Sequence, residues 1–172
     1  LGFPAAFMLG ISRQTDYAAR VVLHLACLAP GARVPIADIA KHRMLPLDFV
    51  RRIVGDMVKA GILATSRGSG GGVSLARPAA EISLGEVVHA MEGGIALNHC
   101  VSDRRVCPLA AQCPVQSVWV DATQVLDDYL TSVRFDALAR RSSEHQPAHL
   151  RVQATGRVRG SHRCELPAAA LA

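Results

Sequence analysis

The sequence is poor in several things that would assign it to a common class. It has no apolar run of about 18 residues, so a membrane-spanning helix is excluded and no membrane partner is expected. The apolar opening Leu1 to Ile11 lacks a basic stretch before it. A secretory signal is therefore not expected, and residues 1–8 read as sequence upstream of a start at Met8. No internal repeat is present. Histidines 24, 42, 89 and 99 are scattered, with no ordered Ser-His-Asp signature, and no paired-carboxylate acid/base motif stands out, which argues against an enzyme. His24 reads as a satisfied structural histidine. Lysine is nearly missing: of 19 basic residues only Lys41 and Lys59 are lysines, and the rest are arginines.

What is present is enough for a packed core. The 172 residues are 50% hydrophobic and 19% charged, which excludes wholesale disorder and suits one domain with an appendage. The formal net charge is +5, which suits a polyanionic partner if the charge is placed on one face. A first helix is predicted from Ser12 or Thr15, either of which can cap it, with Ala18, Val21, Val22, Leu25 and Ala26 recurring at helical spacing. Pro30 and Gly31 end it. A short helix runs from Ile36 to about His42, Arg43 to Leu45 form a turn, and a longer helix spans Leu47 to Ala60. Its expected buried stripe is Phe49, Val50, Ile53, Val54, Met57 and Val58.

After Gly61 the period changes to that of strands. Ile62–Thr65 and Val73–Ala76 flank the turn 67–72 and predict a hairpin. Ser83 and Glu86 form a capping box that opens a helix to about Glu92. The fold class expected is mainly α with a small β-hairpin wing: a winged helix-turn-helix domain over 9–92. A cysteine-containing loop follows at 93–114. A long dimerisation helix with a following short helix covers 115–140, its stripe being Val118, Ala122, Val125, Leu126 and Tyr129. Residues 141–172 read as a disordered tail.

Such a domain reads double-stranded DNA with its second helix, which here offers Asp48, Arg51, Arg52 and Lys59 outside the apolar stripe. Arg67 and Ser69 lie at the wing tip, where contacts to phosphate or the minor groove are made, and Gly68, Gly70, Gly71 and Gly72 let the backbone come close. A nucleotide-binding loop is excluded, because a strand rather than a helix follows the glycines and no lysine is near.

Five cysteines are present: Cys27, Cys100, Cys107, Cys113 and Cys164. An odd number with no signal peptide argues against a disulfide framework and for a reducing, cytoplasmic setting. Cys27 lies in an apolar run and reads as a core thiol, and Cys164 reads as incidental. Cys100, Cys107 and Cys113 are separated by six and then five intervening residues. That is wider than the close pairs of zinc sites and suits an iron–sulfur cluster, with zinc and free redox-active thiols as alternatives. Three thiolates leave one place for another ligand, for which His99, Gln116, His89 and Asp16 are candidates.

Taken together, Ile11 to Arg20, Ile36 to Ala40, Ala60 to Leu63, the wing Arg67 to Val73, Pro78-Ala79, Ile82 to Val88 and the trio with Cys107-Pro108-Leu109 carry a resemblance. Over roughly residues 9–140 the chain resembles the winged-helix regulators of the IscR, NsrR and RirA family. That resemblance implies a homodimeric transcription regulator on a palindromic operator. It also implies a 4Fe–4S or 2Fe–2S cluster on Cys100, Cys107 and Cys113 that reports nitric oxide, redox state or iron supply. The IscR type has histidine three residues after the last cysteine, where Gln116 stands here. The NsrR type uses an aspartate of the opening helix, given across the dimer, which corresponds to Asp16. The resemblance therefore favours 4Fe–4S with Asp16 as fourth ligand.

Overall fold

The computed structural model describes residues 11–68 and 70–144. The expectations for residues 1–8, for Ser69 and for the tail from 145 onward lie outside the described residues. Seven helices and a hairpin follow in the order α1 (Arg13–Ala26), α2 (Ile36–His42), α3 (Leu47–Lys59), β1 (Leu63–Ser66), β2 (Gly72–Leu75), α4 (Leu84–Glu92), α5 (His99–Ser102), α6 (Pro114–Ser132) and α7 (Phe135–Glu144). The mainly helical architecture with a β-hairpin wing is the one the sequence predicts. Two short 3₁₀ turns, Arg104–Val106 and Ala110–Gln112, and α5 give form to the segment read as a loop. Residues 141–144, read as the start of the tail, belong to α7.

Ser12 caps α1 by accepting the Thr15 amide at 3.3 Å, and Asp16 sits in the first turn, where a carboxylate meets the positive end of the helix dipole. Ala18, Val21, Val22 and Leu25 form its buried face. Cys27 follows as its C-terminal cap; it is buried and engaged in a disulfide, so it is not the free core thiol that the sequence suggests. Prolines 35 and 46 precede α2 and α3, where a missing N–H costs nothing. Between them Met44 takes φ 51°, and Leu45 turns inward with its amide on the Ala40 carbonyl at 2.9 Å. Arg43 in this turn is almost wholly buried, and burial pushes its guanidinium down to about 10, with the charge of Arg20 adding to the effect. Its Nε donates to Nδ1 of buried His24 at 3.2 Å, so His24 does hold a structural place.

On α3, Val50, Ile53, Val54 and Met57 are buried against the core. Phe49 and Val58, expected in the same stripe, are 40% and 37% exposed. They sit at the two margins of the stripe, beyond the width that the facing helices cover. The hairpin is antiparallel with Leu63 opposite Leu75 and Ser66 opposite Gly72. Val34 adds a third rung by exchanging two backbone hydrogen bonds with Val73, at 3.0 and 2.9 Å. That approach requires glycine next door, because a Cβ on Gly72 would lie 2.7 Å from the Val34 carbonyl oxygen.

The chain returns to this domain after α6. The Leu84 amide donates to the Val133 carbonyl at 2.8 Å, and the Phe135 amide donates to the Ile82 carbonyl at 3.0 Å. Phe135 is fully buried in the same core as Val21, Ile53 and Ile82. At this joint the predicted capping box is complete. The Glu86 amide donates to Ser83 Oγ at 3.1 Å, and the Ser83 amide donates to Glu86 Oε2 at 2.7 Å. Arg77 Nη2 donates to the other Glu86 oxygen at 2.7 Å.

Burial alone would raise the Glu86 pKa, but the Arg77 hydrogen bond, the Ser83 bonds and the Arg77 charge outweigh it and hold the carboxyl below its usual 4.5. A depressed carboxyl contributes stability that is present above the unfolded value and is lost as pH falls through the folded one. We expect Glu86→Gln to lower Tm at neutral pH. The gap to wild type should close as pH falls below about 4.5 in thermal melts taken from about pH 6 to about pH 3.

Candidate nucleic-acid interface and cysteine loop

The outward face of α3 carries Asp48, Arg51, Arg52 and Lys59, all exposed. Two of the cations are tied to carboxylates of their own helix: Arg51 to Asp48 at 2.8 Å and Lys59 to Asp56 at 3.1 Å. Such exposed pairs contribute little stability and exchange readily for phosphate or base contacts. Arg52 is held differently. Its guanidinium lies 5.3 Å from the centre of the Phe49 ring, which meets Tyr17 of α1 edge-on at 6.2 Å. Arg20 stands 6.0 Å from the Tyr17 ring and reaches Asp16 at 2.9 Å. A continuous line of contacts thus runs Asp16, Arg20, Tyr17, Phe49, Arg52. The sequence reading missed it, because it assigned Phe49 to the core. Arg67 is exposed at the wing, between the positive-φ residue Gly68 and the end of β1.

The three downstream cysteines are all free and half-buried. Cys100 lies in α5, Cys107 ends the turn Arg104–Val106, and Cys113 is the N-terminal cap of α6 with no side-chain capping bond. Within the protomer the trio is not drawn together: among the described residues no three His, Cys, Asp or Glu side chains form a group able to hold a metal ion. The donor set nevertheless fits a cluster chemically, offering three thiols within one short segment and no disulfide among them.

The four candidates for a fourth ligand separate clearly. His89 Nε2 lies 2.6 Å from Asp127 Oδ1 and links α4 to α6. Gln116 is buried and its Nε2 donates to the Cys100 carbonyl at 3.4 Å, which anchors the cysteine segment to α6. His99 is exposed at the start of α5. Asp16 is half-exposed on α1, away from its own protomer's core, and engages Arg20.

The sequence reading also missed Glu92 at the end of α4. Its Oε1 accepts the Ser12 amide at 3.0 Å and the Thr15 hydroxyl. The bond from Thr15, then that from Ser12, hold this carboxyl below its ordinary value. The start of α1, one turn before Asp16 and Arg20, is therefore fastened to the residue that precedes the cysteine segment.

On the far side of the long helix, Val115, Val118, Trp119, Val125 and Tyr129 are 57%, 60%, 39%, 69% and 62% exposed. The stripe expected on α6 divides. Val118, Val125 and Tyr129 face outward, while Ala122 and Leu126 are half-buried. No described helix is long and apolar enough to cross a membrane.

A helix-turn-helix with a hairpin wing, arginines on its second helix and an apolar accessory helix defines a DNA-binding regulator rather than an enzyme. Residues 11–141 match the model of Rrf2, the iron-dependent transcriptional regulators, and the chain belongs to that family. It is 27% identical over 153 residues to the HTH-type transcriptional regulator IscR of Pectobacterium carotovorum, covering 86% of this chain and 93% of the relative. It is 31% identical over 132 residues to protein aau3 of Rhizobium meliloti, covering 76% and 84%. Among solved structures, CymR, the global cysteine regulator of B. subtilis, aligns with a TM-score of 0.65 at 22% identity, covering 78% of this chain and 98% of that one. IscR of T. potens aligns with a TM-score of 0.65 at 22% identity, covering 83% and 96%.

The ring under Arg52 yields a test. Phe49→Ala should cost about 1–2 kcal/mol of stability in a denaturant titration, since the ring is only partly buried. It should weaken DNA binding more than this loss of folded protein accounts for, because Arg52 loses the surface that orients it. A binding loss explained by unfolding alone would contradict that role.

Proposed function

We propose that the chain is a homodimeric DNA-binding regulator whose operator affinity depends on an iron–sulfur cluster held by Cys100, Cys107 and Cys113. The observation that carries this reading is the placement of three free thiols on the segment joining α4 to α6. Both flanking helices are fastened to the reading domain. When bound, the cluster supplies a centre that reacts with nitric oxide or oxidants and is lost when iron is scarce. The chain's own residues do the rest. Glu92 ties the segment's root to the start of α1, and Gln116 ties its middle to α6.

Asp16 is the proposed fourth ligand, given by one protomer to the other, and the proposed cluster is 4Fe–4S rather than 2Fe–2S. Its position supports this: Asp16 is accessible on α1, whereas His89 is committed to Asp127. Drawing Asp16 away from Arg20 would free the first link of the line that ends at Arg52 on α3. Asp48, Arg51, Arg52 and Lys59 are the proposed groove contacts. Arg67, together with Ser69, is the proposed wing contact.

The exposed apolar face of α6 supports the dimer, since Val115, Val118, Val125 and Tyr129 recur on one helical side. Two α6 helices packed on those faces would set two α3 helices at a fixed separation, as a palindromic operator needs.

Two experiments test this. Purified without oxygen, the protein should be brown, with about four irons and about four sulfides per chain and one broad visible band, and Cys107→Ser should be colourless. Zinc in place of iron would contradict the cluster and favour a zinc-stabilised interaction module, and a metal-free protein would contradict it and favour a thiol switch on the same cysteines. Separately, Val125→Arg should convert a dimer to a folded monomer in light scattering and weaken operator binding by about 100-fold or more. A wild-type monomer would contradict the dimer.

A further inference from the structure

Glycine is the poorest helix former after proline, yet Gly55 stands in the interior of α3 and is exposed. The other described glycines are explained by the protein itself. Gly31, Gly61, Gly68, Gly70, Gly93 and Gly94 have φ between 69° and 140°. A Cβ on Gly72 or Gly85 would strike backbone, at 2.7 Å from Val34 and 2.8 Å from Thr131, and one on Gly71 would strike the wing turn. Gly55 alone among the described glycines has neither reason: it has no positive φ, and a Cβ there meets nothing within 4 Å. The folded protomer would be better off with alanine.

The position says where the demand comes from. Asp48, Arg51, Arg52, Gly55 and Lys59 follow one another along the outward side of α3, about one turn apart. Its neighbours on that side all carry larger side chains, Arg51 and Arg52 one turn before it and half-exposed Val58 and Lys59 one turn after, so the glycine leaves a notch. We infer that Gly55 is the point of closest approach between α3 and the DNA, where the duplex comes near enough to the helix backbone that no side chain fits. The residue sets how deep α3 sits in the groove, and hence which of the flanking arginines reach base edges and which stop at phosphate. The inference rests on the reading of α3 as the DNA-contacting helix and assigns a specificity-determining role to a residue that carries no functional group.

The test uses the full chain and the duplex that the wild-type protein selects from a random-sequence pool. Gly55→Ala should raise Tm by about 2–5 °C, because helix propensity improves and nothing in the protomer is crowded. The same variant should bind the selected duplex at least about tenfold more weakly at matched salt, with a smaller loss on an unrelated duplex. Gly55→Leu should lose more again while staying folded. Opposite movement of stability and affinity is a result that a merely structural glycine cannot give. Gly55→Ala binding the selected duplex within about twofold of wild type would overturn this inference and leave DNA binding intact. So would a fall in its Tm. Failure of the wild type to select any duplex would overturn both readings.

Discussion

The joint between Ser83 and Arg134 is the constraint on which the rest of the molecule depends. Two backbone hydrogen bonds cross it, from Leu84 to Val133 and from Phe135 to Ile82, and Phe135 plunges beside it into the core of the reading domain. It fixes the end of α6 to the start of α4, and the pair His89–Asp127 holds the two helices together further along. The glutamate at the same spot, Glu86, is the N-terminal capping partner of α4, pairs with Arg77 and lies 4.0 Å from Arg134, so three segments share one carboxylate.

On the proposed reading, α4 is the element through which a signal at the cysteines would reach the DNA. Its first turn is at the joint, its middle is linked to α6 through His89 and Asp127, and its last residue, Glu92, holds the N-terminus of α1. Gly93 then takes φ 78° and ends the helix, releasing the chain into the cysteine segment. On that reading, ordering or loosening the segment would reach α1 through Glu92, and from α1 the aromatic contacts of Tyr17 and Phe49 lead to Arg52. The contacts are short and direct, and each can be removed singly.

Much of this was legible in the sequence because it is written in local chemistry. The capping box at Ser83 and Glu86, the glycine-rich hairpin turn and the helical spacing of Val50, Ile53, Val54 and Met57 are all nearest-neighbour signals, and the structure repeats them. What was not legible depends on non-local geometry. Phe135 gives no periodic signal within a short helix, so its burial 53 positions after Ile82 could be learned only from the fold. Arg43 reads as an exposed turn residue, yet its side chain is buried against His24. Phe49 and Val58 satisfy the helical period but lie at its margins, where only the real width of the facing surface decides. The cysteine spacing indicated a metal-binding chemistry, whereas the gathering of those thiols around one centre is not a property of the isolated protomer.

The central claim is that the state of the cysteine segment sets DNA affinity. The most direct measurement is a titration of one operator duplex with iron–sulfur-loaded and metal-free protein from the same preparation, at one fixed salt concentration and without oxygen. Salt must be matched because the phosphate contacts alone change affinity steeply with ionic strength. The account predicts affinities that differ by about tenfold or more, and a difference that shrinks when Glu92 or Gln116 is replaced. Equal affinities for the two forms would contradict it, however much iron the protein carries.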